Sequence, residues 1–72
     1  MAYQFKTRVY DESSLDKHEK FSLSVKQSHK LINVLRMKDD DDIIIFNNIY
    51  GEWSAKIKIK KSIVNVECIE KI

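Results

Sequence analysis

The chain has no proline, one glycine and one cysteine in 72 residues. A lone thiol, Cys68, excludes an internal disulfide, and no second cysteine or clustered histidines supply a zinc framework, so a reducing, cytoplasmic setting is expected. No apolar run approaches the roughly 18 residues of a membrane span, and the opening MAYQFKTRVY lacks the apolar core of a signal peptide. No membrane partner is therefore expected. Without proline and with only Gly51, any curvature of strands must come from bulges rather than glycine kinks. His18 and His29 stand without a recognisable nucleophile or acid beside them, which argues against a self-sufficient hydrolase.

A charge of one sign is also scarce overall, since the formal net charge is only +2. The distribution is uneven. Four of the eleven acids stand together at Asp39 to Asp42, leaving thirteen bases against seven acids elsewhere. From Trp53 to Lys61 there are four lysines and no acid. Such a stripe fits either a surface that meets phosphates on one side or an ordinary solvated β face. With 43% apolar and 33% charged residues the chain is expected to fold as a single domain spanning 1–72.

Period-two alternation dominates what is present. Tyr3, Phe5, Thr7 and Val9 alternate with Gln4, Lys6, Arg8 and Tyr10, predicting a half-buried strand over 3–10. Asp11 to Glu19 is polar with only Leu15 as an apolar anchor and reads as a mobile loop. Phe21, Leu23 and Val25 give a short second strand. Ser24 and Gln27 have the spacing of a capping box, so a helix is expected from about Lys26 to Met37. At about 100° per residue, Ser28, Leu31, Ile32, Val34 and Leu35 share its inner arc. His29, Asn33 and Arg36 share a polar patch, read either as a solvated face or as three hydrogen-bonding groups for a loop or an RNA strand.

Asp39 to Asp42 lack the alternation, central glycine and closing glutamate of a calcium loop and read as an exposed turn in which Asp takes the left-handed backbone. No metal ligand is assigned. Ile43 to Phe46 is continuously apolar, as a central strand covered on both faces would be. Asn47, Asn48 and Gly51 turn it back. Trp53, Ala55, Ile57 and Ile59 then alternate with Ser54, Lys56, Lys58 and Lys60, and after a turn at Lys61 and Ser62 a last strand places Val64, Val66 and Cys68 inward. The expected fold is mainly β: a small, closed or nearly closed barrel of about five strands, with one helix between strands two and three.

The run Leu31, Val34, Leu35, Arg36, Met37, the acidic turn, the strand ending in Phe46 and then Gly51, Glu52, Trp53 resembles the N-terminal domain of the RsmE family of small-subunit ribosomal RNA methyltransferases. Thr7, Arg8, Val9 and Tyr10 also look like that family's opening strand. Of the family's His pair His29 is present and Lys30 takes the second place; Asp40 replaces the turn glycine, and Asn47 and Asn48 stand for Asp-Gly. The resemblance implies a PUA-like β-barrel that grips small-subunit ribosomal RNA. It also implies a separate C-terminal catalytic domain of the SPOUT type, absent from these 72 residues, that binds S-adenosylmethionine, dimerises and methylates a uridine N3. No cofactor site and no methyltransferase activity are expected of this chain alone.

On that reading Arg8, Arg36, Lys56 and Lys58 meet phosphates, Lys30 adds a further phosphate contact, and His29 and Asn33 add hydrogen bonds. Tyr10 or Tyr50 offers a ring for stacking. Other roles stay open: Arg36 tying the helix end to the acidic turn, Trp53 as a core residue, and Lys56 and Lys58 as guards of an edge strand. The competing class is a protein-interaction or dimerisation module with no RNA affinity, pairing with a second copy or with its own catalytic domain if the chain is a fragment.

Overall fold

A computed structural model of the chain describes Phe5 and residues 7–72. The elements run β1 (Arg8–Tyr10), β2 (Lys20–Ser22), α1 (Val25–His29) continued by a π-helical turn (Lys30–Val34), β3 (Asp42–Asn47), β4 (Gly51–Lys60) and β5 (Ile63–Lys71). The helix lies between strands two and three, as expected, and the number of strands also agrees. The expected start of the first strand falls partly outside the described residues.

The strands form one sheet in the order β1-β3-β4-β5-β2. β3, β4 and β5 make an antiparallel meander, β2 adds antiparallel to β5, and β1 adds parallel to β3. Among the described residues β1 and β2 do not pair. The sheet is open, and the expected barrel is not closed by hydrogen bonds. The cause is length: β1 and β2 have three residues each, and the helix occupies the gap between them. Gln27 Nε2 donates to the Tyr10 carbonyl of β1 at 2.7 Å. The next residue, Ser28, is fully buried and its hydroxyl accepts from the Val64 amide of β5 at 2.9 Å.

Cross-strand rows on the inner face make the core. Val9, Ile45 and Trp53 form one row, Ile43, Ala55 and Cys68 the next, and Phe21, Val66 and Ile57 a third. Leu15, Leu23, Leu31 and Met37 pack over them from the loops and helix. Each fully buried aliphatic side chain of this kind contributes about 1.5–3 kcal/mol of transfer free energy. Trp53 packs on the core with its indole N–H on the Tyr50 carbonyl, in keeping with its inward position. Cys68 is fully buried, and burial pushes its thiol pKa up, as suits a small core residue.

The sheet has only one fully covered face, which corrects the expectation for β3. Ile43 and Ile45 are sealed, but Ile44 and Phe46 are half-buried, because no second layer of the described residues lies outside them. The expected bulge is present: the β4–β5 register passes from Ser54 opposite Glu70 to Ala55 opposite Cys68, leaving Ile69 unpaired. Ser54 is buried there and its hydroxyl donates to the Glu70 carbonyl.

The helix departs from its expected form after one turn. Ser24 caps it by accepting the Gln27 amide at 3.1 Å, but the Gln27 side chain reaches β1 instead of closing the capping box. The Leu35 amide bonds to the Lys30 carbonyl and the Met37 amide to the Leu31 carbonyl, each reaching beyond the four-residue spacing of an α-helix. Ile32, Asn33 and Val34 are weak α formers, two of them β-branched, which favours such widening. The phase shift keeps Leu31 and Met37 buried and turns Val34 outward at 65% exposure, with Leu35 also exposed, so the inner arc ends at Ile32. Arg36 ends the segment at φ 54°, a position that favours glycine.

Asn47, at the end of β3, organises the loops. Its Oδ1 accepts the Ile49 and Tyr50 amides while its Nδ2 donates to the Asp11 and Ser13 carbonyls. The Asp11–Glu19 loop expected to be mobile is therefore held at its start. Near its end His18 and Glu19 exchange backbone hydrogen bonds with Cys68, and Leu15 is buried in the core. Asp40 takes φ 68° as expected, and Lys61 and Ser62 take φ 52° and 64°, the pattern of a type I′ hairpin turn.

Two substitutions test these ties. Ser28→Ala leaves the buried Val64 amide without its acceptor and is expected to cost about 1–3 kcal/mol in urea unfolding. Asn47→Asp keeps the two accepted amides but turns both loop carbonyls against an acceptor; a loss of about 1–3 kcal/mol, with faster amide exchange confined to residues 11–19, is the expected outcome.

Candidate nucleic-acid interface

The basic residues fall into two electrostatic groups. Lys56 and Lys58 stand on the outer face of β4, and the acidic turn folds back onto them. Lys56 Nζ lies 2.9 Å from Asp42 and Lys58 Nζ 2.8 Å from Asp40. Across the outer face Asp42, Lys56, Glu67 and Lys20 occupy facing positions on β3, β4, β5 and β2, a row of alternating sign. The other two acids of the turn serve the backbone, with Asp39 accepting the Ile59 amide and Asp41 the Lys38 amide. β4 is an interior strand, so its lysines do not guard an edge. They neutralise the turn.

The second group is on the helical segment. From Lys20 to Lys38 the chain carries five lysines and arginines and no acid. Lys26, Lys30 and Arg36 are exposed and make no ion pair among the described residues. Arg36 thus does not tie the helix to the acidic turn. His29 and Asn33 are exposed and joined through Nδ1 and Nδ2 at 3.0 Å, so the expected i, i+4 pair exists. The π turn sets Arg36 on a left-handed residue beyond them. Lys26 was missed as a candidate, although the acid-free stretch was legible.

Arg8 stands apart from both groups on β1. Its guanidinium pairs with Glu52 and lies over the Phe46 ring, 4.6 Å from the centroid. Tyr10, 44% exposed, meets the same ring edge-on at 5.6 Å between centroids. Tyr50 is half-buried against the core with its hydroxyl 3.2 Å from Ser14 Oγ, leaving Tyr10 as the exposed ring. Between β1 and the helix runs a groove of about 240 Å³, lined by Thr7, Arg8, Val9 and Tyr10 on one side and Gln27, Lys30 and Leu31 on the other. The fold thus brings the β1 strand at Arg8 and the helical Lys30 to one groove, His29 and Asn33 to the same helical segment, and the Arg8 side chain with Lys56 and Lys58 to the outer sheet face.

This small sheet with a helix across its gap is shared with known proteins. A family model described as the RNA methyltransferase PUA domain matches residues 24–67, from the helix cap into β5. The match covers more than half of the chain, and the chain belongs to that family. A particular relative, the ribosomal RNA small subunit methyltransferase E of Buchnera aphidicola subsp. Acyrthosiphon pisum (strain APS), is 39% identical over 66 residues, which are 90% of this chain and 26% of the relative. The chain thus spans about a quarter of the curated relative it matches. A methyltransferase of Legionella pneumophila, solved with bound SAM, superposes at a TM-score of 0.77 with 26% identity, over 88% of this chain and 26% of that one. The ribosomal RNA small subunit methyltransferase E of Neisseria gonorrhoeae, solved with S-adenosyl methionine, gives 0.75 at 22% identity over 88% and 27%, a likeness of fold. The family read from the Leu35–Arg36–Met37 and Gly51–Glu52–Trp53 segments is the family found. No helix among the described residues is long and apolar enough to cross a membrane.

The pairing on the outer face is open to direct titration. The Lys58 ammonium, through its hydrogen bond and its charge, holds the Asp40 carboxyl below its ordinary 3.8, and Asp40 in turn raises Lys58. A carboxyl whose folded pKa is depressed adds stability above its unfolded pKa, and that stability is lost as pH falls through the folded value. Carboxyl-carbon NMR is expected to show Asp40 titrating below 3.8 in the wild type and moving up in Lys58→Gln, with the difference shrinking in high salt.

Proposed function

We propose that this domain grips small-subunit ribosomal RNA through its helical face, serving a SAM-dependent catalytic domain in the longer polypeptides of its family. The observation that carries this is the separation of charge: Lys56 and Lys58 of β4 are matched by acids, whereas among the described residues Lys26, Lys30 and Arg36 are not. Cations already paired gain little from a phosphate, because a carboxylate must be given up; unpaired ones release only water and small ions. Lys26, Lys30 and Arg36 supply the phosphate contacts, His29 with Asn33 supplies hydrogen bonds, and Arg8 joins only if RNA displaces Glu52. Lys56 and Lys58 join only if RNA displaces Asp42 and Asp40.

The residues present do not fit SAM. The groove beside β1 is flanked by Arg8 and Lys30, the wrong sign for a sulfonium, and Gly51 is the only glycine, so no glycine-rich loop lets backbone approach a nucleoside. In this reading the chain alone is a binding domain without methyltransferase activity. The competing role, a dimerisation or protein-docking module, draws on the exposed Val25, Val34 and Leu35.

Fluorescence anisotropy with a structured small-subunit rRNA fragment at several salt concentrations separates the two. With about three phosphate contacts the log–log salt slope is expected near −2 to −3. Arg36→Gly relieves the left-handed residue, so it is expected to unfold at the same or higher urea concentration while binding RNA more weakly. A flat salt response together with a concentration-dependent mass would instead establish the protein module. Heat on titration with SAM, or methyl transfer by the pure chain, would remove the binding-only role.

A further inference from the structure

Resting on the RNA reading above, we propose that the groove between β1 and the helix is a pocket for a single unstacked nucleotide, its phosphate held by Lys30 and its base edge read by the backbone of β1. The register of the parallel pair sets which main-chain groups face that groove. The Ile44 amide bonds to the Thr7 carbonyl and the Asp11 amide to the Phe46 carbonyl. With Arg8 opposite Ile44 and Tyr10 opposite Phe46, the parallel ladder uses the groups of Thr7, Val9 and Asp11. The amides of Arg8 and Tyr10 and the carbonyls of the same residues therefore point away from β3, into the groove.

One of those carbonyls, that of Tyr10, is taken by Gln27. Among the described residues the two amides and the Arg8 carbonyl have no partner in the hydrogen bonds outside the regular ladder. This leaves a donor–acceptor–donor set along one short strand edge, and nucleobases present complementary donors and acceptors along theirs. The Gln27 bridge closes the edge at Tyr10, so a long peptide strand cannot run through by β-addition. The volume of about 240 Å³ suits a base-sized group. Charge selects the rest of the ligand. Lys30 stands on the helical wall with no ion pair among the described residues, whereas the Arg8 guanidinium is turned to the outer face, over Phe46 and paired with Glu52, and gives the groove its main chain. A double helix offers no free base edge to such a pocket. The domain thereby favours a loop, bulge or end over a duplex of the same charge.

Titrating the isotopically labelled 72-residue chain with uridylate and adenylate hexanucleotides, and with a blunt RNA duplex of equal phosphate number, tests this by amide NMR. The expected result is saturable movement of the Arg8, Tyr10 and Lys30 amides with the single strands, and binding to the single strands at least about tenfold tighter than to the duplex. Lys30→Glu is expected to weaken single-strand binding about tenfold or more, while Lys17→Gln at the exposed surface of the Asp11–Glu19 loop leaves it unchanged. Equal affinity for duplex and single strands, or RNA binding with the Arg8 and Tyr10 amides unmoved, overturns the nucleotide pocket and leaves the RNA-binding role standing. No binding to any of the RNAs at low salt overturns both. Movement of the same amides by a short extended peptide but not by RNA overturns the nucleotide assignment in favour of a protein ligand.

Discussion

Two neighbouring side chains, Gln27 and Ser28, hold the helix across the open side of the sheet, and the geometry of everything functional follows from that seat. One reaches a β1 carbonyl and the other receives a β5 amide. Both tie helix to strand through groups that a continuous sheet would have paired with another strand. A polar residue at zero exposure is tolerable only because its single hydroxyl is used. Because the helix is anchored at these adjacent positions, its next turn carries Lys30 to the rim of the β1 groove. The cations beyond it are left facing water.

Charge cancellation gives the molecule its two sides. Four free carboxylates in the acidic turn would repel any polyanion, yet they are spent on β4 and on local amides. Exposed pairs of this kind stabilise little, since solvent and salt screen them. Their consequence lies in the field: the sheet face carries alternating signs, while the helix face keeps cations without counter-charges. A net charge of +2 hides that asymmetry.

Much of the architecture was legible from periodicity. Strict alternation marked β4 and β5, Asn and Gly marked the β3–β4 turn, and Ser24 marked the helix start. What escaped depends on contacts between distant residues. The four apolar residues Ile43–Phe46 cannot say whether a second layer will cover Ile44 and Phe46. The spacing of Leu31, Val34 and Leu35 presumes an α-helix, and the wide turn at Lys30 breaks that phase with no glycine or proline to announce it. Asn47 read as a turn residue and proves to be a four-bond junction because two of its partners come from the distant Asp11 loop. At the site, His29 with Asn33 was visible as a helical pair. The Arg8–Lys30 groove was not, since it needs β1 and the helix brought together.

The parallel placement of β1 against β3 bears on how the chain reaches this state. β3, β4 and β5 connect through tight reversals and can zip from their turns, whereas β1 finds its neighbour only after the loop, β2 and helix have all been laid down between them. The meander is then exposed for a time with both flanks unsatisfied. In a crowded solution those flanks are open to the early strand of another copy, so strand exchange between molecules is the characteristic failure of this topology, and dilution its simplest remedy.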